Sequence, residues 1–245
     1  MIDSLSSLNT SGNYIRIPRV LPKVKYERLI KLADNYLTNP TSRPIYISNV
    51  KELGSTPLER YKASGVHVLL EAAQPWLEKQ IGREWLVLSG KVLLRRTWPI
   101  KEAKARALGH NASNLTWHQD SNSKHGNRPM IVLMTALQDG AGSKRPGLSI
   151  LEAPVDKFEG IYGYQGKKIE ELERSIGVKY GEIRTVTPIL NSGELLIFNG
   201  LTFHRTFSNE TMESHRDALL VRIIKPEDRG NFPEGPHLMI STKSK

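Results

Sequence analysis

From residue 85 the chain alternates short apolar runs with breaks rich in Gly, Asn, Pro and Ser. The stretch WLVLSGKVLLRRTW reads as two strands hinged at Ser89-Gly90. LTWHQD, MIVLMTALQD, GLSILEA, EIRTVTPIL, ELLIFNG and HRDALLVRII follow as further strands. Short apolar segments separated by turn residues predict a β-sandwich or barrel. Before residue 85 the spacing is helical. Pro22 opens a helix to about Leu37, with Leu29, Ala33 and Leu37 on one face, and Asn39-Pro40 ends it. Thr56 is the N-cap and Pro57 the first residue of a second helix through about Ala73; Pro75 restarts a shorter one ending near Gly82. A further helix, 167–177, sits in a long insertion, 155–182, and the tail from Lys225 reads as loop. The expected fold class is mainly β with flanking helices, in a single domain over 1–245: a helical layer to about 84, a β core over 85–224, and a loop tail over 225–245.

Composition narrows the function classes. There are 245 residues, 38% of them hydrophobic, enough for one substantial core. No apolar run approaches membrane-spanning length, and the first residues lack a basic region followed by an apolar one, so no membrane span or secretory signal is expected. With no Cys, disulfides and thiolate metal sites are excluded; a cytoplasmic location is the expectation. Lys plus Arg is 35 against 25 Asp plus Glu, a net +10 that favours anionic ligands. Phosphate-binding GxGxxG and GxxxxGK[ST] loops and the GxSxG nucleophile elbow are absent.

The chemistry-bearing signal is His-x-Asp. Chance gives about 0.2 such pairs at this composition, yet there are two: His118-Gln119-Asp120 and His215-Arg216-Asp217. In a strand, positions i and i+2 share a side, so either pair can approach one ion. Context separates them. Downstream of Asp120 an apolar strand and a turn at Asn199-Gly200 lead to His204, a third ligand on a facing strand. The second pair is followed only by His237, in FPEGPHLM, where no strand is expected. His118, Asp120 and His204 are therefore the expected metal ligands. Two imidazoles and one carboxylate leave open positions suited to non-haem Fe(II) oxygen chemistry. Arg216 opens the strand RDALLVRI, where alternation puts Ala218, Leu220 and Arg222 on its face. An inward guanidinium needs an anion, and a dicarboxylate could meet Arg216 at one end and iron at the other. Thr206 shares the face of His204 and adds a hydroxyl.

WHQD (117–120), RPGLSILEAP (145–154) and GELLIFNGLTFHRTFSNETMESHRDALLVRI (193–223) resemble the Fe(II)/2-oxoglutarate dioxygenase superfamily, and within it the phytanoyl-CoA dioxygenase-like family. The similarity spans about 85–224. It implies a double-stranded β-helix, a cupin-like jelly roll with iron at its open end, and Fe(II), 2-oxoglutarate and O2 as cofactors. It also implies His118, Asp120 and His204 on iron and Arg216 with Thr206 on the distal carboxylate of 2-oxoglutarate. The family often has another basic residue on the strand before the first His. Arg95 and Arg96 compete for that role, and strand parity lets only one face inward. Where some members carry an aromatic residue near the co-substrate, this chain has Met134 and Thr135. The retained Asp120 favours hydroxylation or a related oxidation over halogenation.

The expected substrate is a small molecule. Lys124, His125 and Arg128 in the loop after Asp120, with Lys144 and Arg145 in GAGSKR, would form a basic rim for a carboxylate or phosphate; Arg222 is a further substrate-binding candidate. Two other readings stay open. One is a nucleic-acid or protein oxygenase, which the Arg216–Arg222 spacing allows but the residues after Asp120 do not favour, lacking an aromatic stacking set. The other is a non-catalytic jelly-roll binding protein.

Overall fold

The computed structural model describes residues 14–38, 44–105, 117–121, 130–153, 155, 169–181, 184–231 and 237–241. Most of the predicted elements form. The hinged pair becomes β3 (Glu84–Leu88) and β4 (Leu93–Thr97), joined by a 3-10 turn at Ser89–Lys91. β5 (Ile131–Ala136), β6 (Gly147–Glu152), β7 (Arg184–Val186), β8 (Leu195–Asn199), β9 (His204–Phe207) and β10 (Arg216–Ile224) follow.

Among the described residues every pairing between strands is antiparallel, and the strands fall into two sheets. The large one runs β1 (Tyr14–Ile17), β8, β5, β10, β3, β11 (His237–Ser241); β10 also pairs β4, which pairs β2 (Ile45–Tyr46). The small one is β7-β6-β9. β5 is buried at every position, which explains why it is apolar throughout except at Thr135. Ile131 and Leu133 join Leu219, Val221 and Ile223 of β10 in the core beneath the helices. Val132, Met134 and Ala136 face the other way, into an apolar layer shared with Ala218 and with Leu148 and Ile150 of the small sheet.

α1 (Lys23–Tyr36) buries Leu29 and Ala33, as the spacing predicts. α2 (Pro57–Ser64) opens with a capping box: Thr56 Oγ1 accepts from the Glu59 amide at 3.2 Å, and Glu59 accepts from the Thr56 amide at 3.0 Å. The break between helices is not at Pro75. It lies at Gly65, whose φ of +82° is left-handed and where a Cβ would collide with Leu21. α3 (Val66–Ile81) runs through Pro75, with Leu69 and Ala73 buried before it and Leu77 and Ile81 after it. Apolar burial on both sides offsets the roughly 3 kcal/mol that an interior proline costs a helix.

Several elements depart from the sequence reading. The tail is not all loop, because 226–231 form a 3-10 helix and β11 pairs along β3. β1 pairs along β8, and a short helix, α4 (Ile100–Ala105), follows β4. The helix of the insertion forms as α5 (Ile169–Tyr180). LTWHQD contributes only an isolated bridge at His118 within the described residues. Among these residues no helix is long and apolar enough to cross a membrane.

Candidate metal centre

His118 and His204 face each other across two backbone hydrogen bonds, each amide donating to the other's carbonyl at 3.0 Å. Directly opposed strand residues project to one side, and the two rings stand 4.2 Å apart between centroids. Asp120 lies two residues on and turns to the same side. Its Oδ1 is 4.0 Å from His118 Nε2 and its Oδ2 is 4.0 Å from His204 Nε2. The ligand atoms of the three residues all lie within 4.8 Å of one another. Gln119, between the ligands, points away and donates to the Leu201 carbonyl at 2.7 Å.

The electrostatics suit a cation. His204 Nδ1 sits 2.9 Å from the Thr202 carbonyl, so the proton belongs on Nδ1 and the Nε2 lone pair faces the cluster. Burial, then the neighbouring His118, holds the His204 imidazole neutral, with its pKa lowered to about 4. Burial would raise the Asp120 pKa, but Arg222 and the two histidines outweigh it and keep the carboxylate ionised well below the usual range.

Arg216 lies on the inner face of the large sheet, between the two sheets. Its Cα partner Thr97 accepts from Nη2 at 3.0 Å. Nε and Nη1 are buried with no hydrogen-bond partner. Burial, followed by repulsion from Arg95, lowers its pKa to about 10, against the opposing pull of Asp217. Buried donors of this kind are costly unless something accepts from them. Thr206 and His204 pair with Leu148 and Ile150, which belong to the same inner layer, so both face inward. Phe198 meets the His204 ring edge-on at 4.8 Å.

Strand register separates Arg95 from Arg96. Arg95 opposes Ala218 and shares its inward face; Arg96 opposes Asp217 and turns outward. Arg96 is thus corrected as a co-substrate candidate. Its Nε and Nη2 each donate to Asp217 at 2.8 Å, and Nη2 also reaches Asp34 at 2.6 Å. Asp34, His215 and Asp217 form a second cluster of ligand type, but Asp217 already accepts from Arg96 and from Gln138, the latter at 2.8 Å. Asp217 thus sits in a hydrogen-bonded knot next to Arg216 in sequence, and His237, where no strand was expected, opens β11.

Arg222 also departs from expectation. Its Nη2 lies 3.0 and 3.2 Å from the two Asp120 oxygens, so it is paired with that carboxylate rather than standing open to substrate. Lys124, His125 and Arg128 lie outside the described residues. Arg145 donates to the His215 carbonyl at 2.6 Å, at the Arg216 end of β10 and not the Arg222 end beside Asp120, which removes it from the expected rim. Thr97 was missed because only register reveals it.

No protein-family model matches the sequence, and no curated protein matches it. Solved structures do. The non-haem α-ketoglutarate-dependent epimerase SnoN from nogalamycin biosynthesis matches with a TM-score of 0.54 at 14% identity, covering 87% of this chain and 78% of that one. This chain has the fold of the non-haem α-ketoglutarate-dependent enzymes. AviO1 from Streptomyces viridochromogenes Tue57 matches at 0.54 and 12% identity, over 87% of this chain and 90% of AviO1. EctD from S. alaskensis, in its apoform, gives 0.56 and 15% identity over 89% and 74%. SnoN has also been solved with Fe3+, α-ketoglutarate and nogalamycin RO.

Proposed function

We propose that this chain is a single-domain Fe(II)/2-oxoglutarate-dependent oxygenase of the phytanoyl-CoA dioxygenase-like type. Its core is read as a double-stranded β-helix, and its substrate as a small molecule. The observation that carries the reading is Arg216, a buried guanidinium with two unpartnered donors on the inner face that also bears Asp120's partner Arg222. The donor set fits the group. Two imidazoles, that of His204 held neutral, and one carboxylate suit Fe(II), and unpaired guanidinium donors suit a carboxylate.

His118, Asp120 and His204 would hold the ion, and the Nδ1 hydrogen bond to Thr202 orients the His204 ring. Arg216 would take the distal carboxylate of 2-oxoglutarate through Nε and Nη1, with Thr97 bracing Nη2 and the Thr206 hydroxyl beside it. Arg95, on the same face, adds positive charge between Arg216 and the ion. Met134, Phe198 and Leu148 line the space with apolar surface and exclude water, which strengthens each of these contacts. Held there, iron would supply with 2-oxoglutarate and O2 the oxidising chemistry for an unactivated C–H bond, 2-oxoglutarate being converted to succinate and CO2. Hydroxylation is the simplest outcome. The inward positive charge favours a substrate bearing a carboxylate or phosphate. The nucleic-acid reading drew on Arg222, and that guanidinium is engaged by Asp120.

The test is a metabolite library scored for succinate release by Fe(II)-loaded protein. At least one small molecule should stimulate release several-fold over the substrate-free rate. A stimulator found only among oligonucleotides or peptides would replace the small-molecule reading.

A further inference from the structure

Trp117 and Phe203 each stand immediately before one of the facing histidines, His118 and His204. Alternation turns neighbouring side chains to opposite faces, so Trp117 and Phe203 project from the outer side of the small sheet while the imidazoles point inward. There both are fully buried in an apolar cluster with Leu151, Ala153 and Ile176 of α5, and Val155 and Tyr180 pack at its margin. The Leu151 amide donates to the Phe203 carbonyl at 2.9 Å, which ties this layer to the backbone that carries His204. The Trp117 ring is held by packing and by the Arg205 guanidinium, 4.8 Å from its centre. Its Nε1 has no hydrogen-bond partner among the described residues. α5 enters this layer through Ile176, which is 1% exposed, whereas Val178, two residues on, is 85% exposed.

We propose that α5 braces the metal centre from outside the barrel. Ile176, seated against Trp117 and Phe203, is a positioning residue for both imidazoles, and docking of the helix and binding of the ion strengthen each other. This rests on reading the cluster as an iron site. Metal–ligand distances are fixed to within roughly 0.2 Å, so small displacements of the two backbones matter. Truncating a buried Ile leaves a cavity that its surroundings fill only in part. The side chains free to move into it are Trp117 and Phe203, and each is one residue from a ligand. No hydrogen bond from the indole resists the shift. α5 lies in the insertion between β6 and β7, so a segment outside the strand framework controls how well the ligands are set.

The test titrates Fe(II) anaerobically into wild type, Ile176→Ala, Ile176→Leu and Val178→Ala, with circular dichroism and melting to establish that each is folded. Ile176→Ala should bind Fe(II) about 10-fold more weakly, the lower end of what partners behind metal ligands contribute. Ile176→Leu conserves volume and should restore affinity close to wild type. Val178→Ala, on the exposed side of the same helix, should match wild type. Coupling between two sites is reciprocal, so amide exchange in α5 of the wild type should slow by a similar factor when Fe(II) saturates the protein, and this response should shrink in Ile176→Ala. A folded Ile176→Ala that melts lower yet binds Fe(II) like wild type would make α5 a stabilising element only and overturn the proposal. α5 exchange that ignores Fe(II) in the wild type would overturn it without any variant. A wild type that binds no Fe(II) would overturn the iron reading and this proposal with it.

Discussion

At the scale of single residues, two buried arginines on opposite faces of the large sheet differ in what they meet. Arg216 is buried with two donors that have no partner among the described residues, whereas Arg96, one strand away and facing outward, donates through Nε and Nη2 to Asp217 and Asp34. The difference predicts different phenotypes. Arg216→Ala should leave Fe(II) bound and raise the 2-oxoglutarate requirement. Hydrogen bonds to charged groups are worth roughly 1.5–3 kcal/mol, or about 10–100-fold in the KM for 2-oxoglutarate. Thr206→Val should act in the same direction more weakly; an unchanged requirement in Arg216→Ala would return that residue to a structural role. His118→Ala, Asp120→Ala and His204→Ala should each weaken Fe(II) binding by at least about 100-fold, since even partners behind the ligands are worth about 10–100-fold. His215→Ala should not, and titration of the four variants with Fe(II) decides between the two His-x-Asp pairs.

At the scale of elements, the Asp217 knot ties α1, β4 and β10 together. Removing one member of a buried ion pair leaves the other uncompensated, so Asp217→Ala should cost about 3–5 kcal/mol, read in denaturant unfolding. The pH dependence follows. Burial would raise the Asp217 pKa, but Arg96 and His215 lower it from 3.8 to about 2. A carboxylate with a depressed folded pKa stabilises above its unfolded pKa, and that stability is lost as pH falls from about 4 through 2. Asp217→Asn should flatten this part of the stability profile, and an unchanged acid limb would contradict the assignment. Gly65→Ala should cost about 1–3 kcal/mol through its positive φ alone. Helix existence was legible in the sequence, because Leu29, Ala33 and the Thr56 cap obey local rules. The break was not, because Pro75 is the stronger local signal and only packing against Leu21 makes Gly65 the corner. The approach of His118 to Asp120 was legible because i, i+2 geometry is local. Arg95 against Arg96 was not, because the choice depends on register with β10.

At the scale of the whole molecule, the site is assembled from both sheets. His204 and Thr206 come from the small sheet, Arg216 and Arg222 from the large one, and His118 with Asp120 from the segment bridged to β9. No single sheet carries a complete site, so metal and co-substrate binding should stabilise the packing between them, raising the melting temperature as ligand concentration rises. The same division explains what comparison by sequence could not reach. At 12–15% identity to the matching solved structures cited above, the fold persists although most of the sequence differs. The central claim is that one interior space binds Fe(II) and 2-oxoglutarate together. Anaerobic titration of 2-oxoglutarate into Fe(II)-loaded protein tests it most directly, followed by visible absorption and calorimetry. A charge-transfer band that saturates with one equivalent per chain, weakens in Arg216→Ala and vanishes in His204→Ala is the predicted result; heat and absorbance that ignore 2-oxoglutarate in the wild type would contradict it.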